Sequence, residues 1–380
     1  MKQTSSQKLN TWSVRMVEST LQRYTLDDAL WHYEHGLQVM AIQKAAEVTG
    51  ETRYMRFVSD WIDTFVQADG GIRTYRVDEY NLDQINAGRL LFGALERTGD
   101  ERYRKALDLL CEQTRKQPRN KSNGFWHKKI YPYQMWLDGI YMAGPFLAEY
   151  ASRFDEPAIF EDVVHQILLI EEHTRDDTTG LLYHAWDESK QQPWCDPITG
   201  RSQYFWGRAV GWYVMAIIDV LDHLPREQAH RPELIAILDR TARALVKVQD
   251  EATGLWSQIL NLPERAGNYL EASASAMFVY AFAKGIRKGY LPQDYLSSAR
   301  RGYNGLLQNL VRIDPQGLLT LDGTCGSAGL GGEPYRDGSF EYYVTEKIIP
   351  NDPKGVGSFI LAAIEMEMAE ADVHQGDDLP

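Results

Sequence analysis

Apolar and polar positions alternate with a helical period along nearly the whole chain, in two kinds of stretch. One kind carries a charged face, as in "ERYRKALDLLCEQTRK". It recurs at about 8–24, 52–67, 101–116, 157–173, 231–249 and 293–311. The other is rich in Gly, Ala and aromatic residues, as in "ASASAMFVYAFA", and falls between the first at about 33–48, 84–97, 137–152, 207–223, 271–287 and 356–370. A charged face predicts a half-exposed helix, and an apolar surface on all sides predicts a buried one. Six outer and six inner helices in strict alternation predict an all-α (α/α)6 barrel.

A repeat supports this reading. "VTGETRYMRF" starts at Val48 and "RTGDERYRKA" at Arg97, one helical hairpin later. Each Thr-Gly is a helix stop and each acidic turn after it a helix start. Outer helices are followed by "GGIRTY", "NGFWHKKIY", "TGLLYHAWD", "TGLWSQIL" and "QGLLTLDG". Each joins a turn residue to a short β-like piece, which places all five at one end of the barrel. Loops on a rigid scaffold carry function, so binding residues should gather there. No Pro/Ser-rich linker interrupts residues 1–380, and a single catalytic domain is expected.

Composition narrows the function. With 44% hydrophobic and 24% charged residues the chain is globular. Its formal charge of −13 argues against general nucleic-acid affinity but leaves room for a local basic pocket. Cys111, Cys195 and Cys325 are scattered and odd in number, so neither a disulfide framework nor a zinc site is expected, and no metal or other cofactor. "MKQTSSQKLNTW" has no signal-like apolar core, and no apolar run reaches the roughly 18 residues of a membrane span. The expectation is a cytoplasmic protein without membrane contact; oligomeric state is left open.

The candidate chemistry centres on "YQMWLDGIYM", where Asp138 stands among Trp136, Leu137, Gly139 and Ile140. A buried carboxylate is costly unless it is paired or takes up a proton. Asp83, in "YNLDQINAG", lies about one repeat earlier and should face the same cavity from the neighbouring inner helix. Two carboxylates in a partly apolar cavity repel, and one can keep its proton to act as a general acid. The plain alternative is that each caps a helix. The same junctions bring His32, Tyr33, His127, Lys128, His184 and Arg208, with Trp206 and Trp212 beside Arg208. Aromatic planes suit a sugar ring, and cations suit a carboxylate, which Arg can grip bidentately. His35 and Lys129 read as ordinary satisfied or solvated residues. The Gly-rich "GSAGLGG" lacks the Lys-Ser/Thr of a phosphate loop and reads as a rim loop. The expected ligand is an anionic small saccharide.

The motifs "WHYEHG", "GFWHKKIYPYQMWLDG", "YHAWDE", "FWGRAVGWY", "GTCGSAGLGG" and "YRDGSFEYYV" resemble those of the unsaturated rhamnogalacturonyl hydrolases, glycoside hydrolase family 105, from about Trp31 to Glu367. One departure is "LEASASAM", where Thr or Ser followed by Gly is expected. The resemblance implies an (α/α)6 barrel without metal. It implies action on pectin-derived oligosaccharides ending in a Δ4,5-unsaturated galacturonyl unit linked to rhamnose. It makes Asp138 the catalytic acid/base and Asp83 the second pocket carboxylate. His184 and Arg208 become uronate ligands, and His32, Tyr33, His127 and Lys128 further pocket residues. Trp206 and Trp212 become the aromatic wall, Trp136 joins the substrate-binding residues, and Ser327 lies on the rim. Three rivals stand beside this reading. They are an unsaturated glucuronyl hydrolase acting on glycosaminoglycan-type fragments, an inverting glycosidase using Asp83 and Asp138 as base and acid, and a non-catalytic sugar binder.

Overall fold

Thr-Gly punctuation sets the first two hairpins. A computed structural model describes residues 11–376. In it, helix α2 (Tyr33–Thr49) stops at Gly50 with φ 79°, and α4 (Arg89–Thr98) stops at Gly99 with φ 66°. Positive φ costs glycine little, so both helices end cleanly there. The outer partners start immediately afterwards: α3 spans Thr52–Phe65, and α5 spans Glu101–Arg115 with Asp100 as its N-cap. The pattern continues through α6 (Leu137–Phe154), α7 (Pro157–Thr174), α8 (Gly207–His223), α9 (Arg231–Lys247), α10 (Ala272–Arg287) and α11 (Leu296–Gly305). A short α12 (Phe340–Thr345) precedes the last inner helix, α13 (Pro353–Gly376). With α1 (Trp12–Arg23) on the outside, six outer and six inner helices form the (α/α)6 barrel.

The inner ring closes where α13 packs on both α2 and α10, while α6, α8 and α10 pack in succession. Small residues allow the close approach. A Cβ on Gly357 would come within 3.0 Å of the Gln38 backbone nitrogen, and one on Gly36 within 2.9 Å of the Ala87 side chain.

Two predicted boundaries shift. The second inner helix begins at Arg89 rather than near residue 84, because Leu82–Gln84 and Asn86–Gly88 form tight 3₁₀ turns. Asn81 accepts the Asp83 amide and fixes the first turn. The sixth outer helix does not run to residue 311; it loosens into a π turn at Leu306–Leu310 and gives way to strand β3 (Val311–Ile313). The start of the first outer helix, expected near residue 8, lies partly outside the described residues; Thr11 caps its visible part.

At the junctions, tight turns bring short extended pieces together. Val66 bridges Ile72, Arg119 bridges Phe125, and Arg175 bridges Leu182. β3 pairs with β4 (Leu319–Leu321). Gly70, Gly180, Gly254 and Gly317 take positive φ in these turns, and Asn123 does so in the second. Strand β1 (Gln134–Trp136) pairs antiparallel with β2 (Ala185–Asp187), joining the second junction to the third.

Candidate active site

The β1–β2 pairing decides where the two central side chains meet. The Leu137 amide donates to the His184 carbonyl at 3.0 Å. Asp138, one residue later in the first turn of α6, therefore lies beside the His184 ring, with Oδ2 3.2 Å from Nε2. The approach lacks hydrogen-bond alignment, and neither atom has another protein partner. Nδ1 of His184 is occupied by the Tyr343 hydroxyl at 2.7 Å. His184 is fully buried, and that burial pushes its pKa down, so it stands neutral at physiological pH. Asp138 does not cap α6; that position belongs to Trp136 and carries no side-chain cap bond.

Asp83 is positioned by a second backbone link, in which the Leu82 amide donates to the His127 carbonyl at 3.2 Å. Its carboxylate meets Lys128 Nζ at 2.6 Å, His127 Nε2 at 3.2 Å and His32 Nε2 at 3.7 Å. Burial alone would raise its pKa, but Lys128 and His127 outweigh that and hold it well below the usual carboxylate range. The two carboxylates thus have opposite surroundings. Asp83 is a fixed anion among potential cations, whereas Asp138 faces one neutral imidazole.

Gly139 allows this arrangement. A Cβ there would lie 3.0 Å from His127 Nδ1, so a larger residue would push the imidazole away from Asp83. Around the carboxylates runs a chain of rings. His127 stacks on Trp136 at 4.5 Å, Trp136 meets His184 edge-on at 5.5 Å, His184 lies 4.7 Å from Trp206, and Trp206 stacks on Tyr343 at 5.8 Å. Below them Tyr33 packs edge-on against Trp212 at 5.7 Å.

Other predicted residues take different positions. Arg208 is 1% exposed. Its guanidinium donates to the carbonyls of Cys325 and Gly326, approaches Glu271 at 3.8 Å, and lies 4.8 Å over the Trp206 ring. The two terminal nitrogens of the fork expected to grip a substrate carboxylate thus hold the loop before Ser327, while Nε is buried without a protein partner among the described residues. Ser327 itself is exposed on that loop. His35 is satisfied by the Tyr24 hydroxyl at 2.6 Å, and Lys129 is a solvated turn residue.

Sequence reasoning missed three neighbours. Tyr343 orients His184. Glu34 takes Lys354 at 2.8 Å and the Tyr33 hydroxyl at 3.3 Å. Although burial opposes it, Lys354 keeps the Glu34 pKa low. Arg336 reaches over Trp136 from the Gly-rich rim. The only signal was their place in the quoted motifs "WHYEHG" and "YRDGSFEYYV", since His184, Lys354 and Trp136 are distant from them in sequence.

Among the described residues no group of three or more His, Cys, Asp or Glu could hold a metal ion. No helix there is long and apolar enough to cross a membrane.

Comparison with known proteins agrees with this fold. Residues 6–370 match the family described as Glycosyl Hydrolase Family 88. A solved family 105 glycoside hydrolase from C. acetobutylicum ATCC 824 is 47% identical, with a TM-score of 0.92 over 94% of this chain and 100% of that one. The unsaturated rhamnogalacturonyl hydrolase YesR of Bacillus subtilis (strain 168) is 30% identical over 272 residues, 69% of this chain and 72% of that protein. The unsaturated glucuronyl hydrolase of Bacillus sp. GL1 shares the fold, with a TM-score of 0.69 at 13% identity over 96% of this chain and 97% of that one.

Proposed function

The chain belongs to the glycosyl hydrolases of families 88 and 105, and on that premise we propose that it is an unsaturated rhamnogalacturonyl hydrolase. Its substrate would be a pectin fragment with a Δ4,5-unsaturated galacturonyl unit linked to rhamnose. The observation that carries this reading is the contrast between the carboxylates, with Asp138 beside neutral His184 and Asp83 held as an anion.

The C4=C5 bond of the substrate is an enol ether, because C5 carries the ring oxygen. Asp138 gives a proton to C4, and positive charge develops at C5 and the ring oxygen. Asp138, now a carboxylate, takes a proton from a water that adds at C5. The resulting hemiketal opens, and the glycosidic bond breaks as the product rearranges. One acid that becomes a base suffices, and no covalent nucleophile is needed, unlike the retaining glycosidases. Asp83 accepts hydrogen bonds from sugar hydroxyls and stabilises the developing cation. Its low pKa makes it a poor base for activating water, which weighs against the inverting acid–base pair. His184 supports Asp138 without competing for its proton. The aromatic chain from Trp136 to Tyr343 is buried and backs the carboxylates, with Trp136, the least buried of its rings, nearest to the sugar.

The test is the ultraviolet absorbance of the conjugated double bond. An unsaturated galacturonyl-rhamnose disaccharide should lose it on addition of protein, and faster than an amino-sugar-linked unsaturated disaccharide. Binding with the absorbance intact would make the protein a sugar binder. Faster loss from the amino-sugar compound would favour the glucuronyl hydrolase reading.

A further inference from the structure

The Gly-rich rim and Arg336 explain each other. The Arg336 guanidinium lies against the Cα of Gly329, where a Cβ would collide with Nη1. Nε donates to the Gly331 carbonyl at 2.8 Å, and Nη2 donates to the Tyr131 hydroxyl at 2.7 Å and the Leu330 carbonyl at 3.1 Å. Tyr131 in turn stacks on Trp136 at 4.9 Å. Tyr131, Trp136, Trp194 and Leu330 form a small apolar cluster of their own, apart from the main core. Three sides of the guanidinium are thus fixed, and its carbon stands 5.7 Å over the Trp136 ring, next to the site.

The fourth side is open: Nη1 donates to no protein atom among the described residues, and Arg336 is half-buried. The other cations near the carboxylates differ. Lys128 is engaged by Asp83 at 2.6 Å, and Arg208 is 1% exposed, with its two terminal nitrogens on the Cys325 and Gly326 carbonyls and only the buried Nε left without a protein partner among the described residues. The charge of Arg336 also reaches His184 and Tyr343. A planar donor held rigidly by its other nitrogens loses little freedom when it meets a carboxylate.

We infer that Arg336, through its free Nη1 edge, is the binding residue that recognises the carboxylate of the terminal unsaturated uronate. This rests on the proposed substrate class, but its test does not require turnover. In an Asp138→Asn background, calorimetry would measure the affinity of the unsaturated galacturonyl-rhamnose disaccharide and of its methyl ester, which lacks the carboxylate charge. Arg336→Gln should weaken binding of the acid by on the order of 10–100-fold, the range for a charged hydrogen bond, and leave the ester within about twofold. Arg336→Lys, which keeps the charge, should recover part of the loss.

Equal weakening of acid and ester would make Arg336 a clamp for the rim alone and overturn the inference. So would unchanged affinity for both, or a background protein that does not prefer acid to ester. If the acid preference disappears with Arg336→Gln but the unmodified protein leaves the double bond intact, the proposed reaction fails and the carboxylate site stands.

Discussion

The two ends of the barrel treat buried charge in opposite ways. At the floor, Asp219 receives Arg89 Nη2 at 2.9 Å, Lys284 Nζ at 2.6 Å and the Tyr280 hydroxyl at 2.7 Å. Glu365 takes Arg287 in a two-pronged pair, and Asp222 takes Lys284 and Lys288. These groups line a polar cavity of about 410 Å³ whose charges are already matched. At the mouth, Asp138 Oδ2, His184 Nε2 and His127 Nδ1 are buried with no protein hydrogen-bond partner among the described residues. An unmet buried polar atom costs roughly 1–3 kcal/mol. The floor secures the barrel, while on the proposed function the mouth holds groups that a substrate would complete. Active sites are commonly strained in this way at the expense of stability.

The largest expected effect lies at the mouth. Asp138→Asn keeps the size of the side chain but removes the acid proton. Turnover of the unsaturated disaccharide should fall on the order of 10²–10⁴-fold, as for other general acids, with the melting temperature unchanged or raised. Retention of more than about a tenth of wild-type turnover would remove Asp138 from the acid role.

At the floor the balance should invert. Asp219→Ala leaves Arg89 and Lys284 buried without their shared partner, a loss of about 3–5 kcal/mol for a broken buried pair. Denaturant unfolding should show that loss, while KM and turnover of the folded fraction stay within about twofold. A catalytic defect without destabilisation would mean that the two ends are coupled.

The smallest effect concerns pH. Burial first, and then the charge of Arg89, lower the His223 pKa from 6.5 to about 4. As pH falls below 6.5 the unfolded chain binds a proton that the folded protein does not take up until about 4. Stability is therefore greatest above that window and declines through it. His223→Gln should recover about 1 kcal/mol of the loss between pH 7 and 5 in denaturant midpoints, after allowance for the partial exposure of the ring. An unchanged slope would assign the decline to other groups, with buried His184 the first candidate.

The helices were legible because their punctuation is local: Thr-Gly stops, acidic starts and apolar periodicity all act within a few residues. The early boundary at residue 84 failed because Leu82, Ile85 and Leu90 keep a helix-like spacing through turns that Asn81 actually caps. Leu306, Leu307 and Leu310 likewise extended the sixth outer helix past its regular end, since periodicity does not distinguish an α turn from a π turn. At the site, Asp83, His127, Lys128, Asp138 and His184 were legible as residues, and the structure brings them together. Their division of labour was not, because it depends on pairings across the fold: Tyr343 on His184, Lys354 on Glu34 and Arg336 on Tyr131. Arg208 could be read as a residue but not in its arrangement, since two of its nitrogens meet the carbonyls of Cys325 and Gly326 while Nε has no protein partner among the described residues.

Trp212 stacks on Tyr141 at 4.9 Å, and the Tyr141 hydroxyl takes Arg89 at 3.1 Å, so a solid column runs from the site to the ionic floor. Along that column the barrel is filled by side chains rather than open as a tunnel. On the proposed function, a sugar chain would not thread through it, and what enters at the mouth would leave by the same end. Each encounter would then process one chain end, and product and substrate would compete for the same doorway.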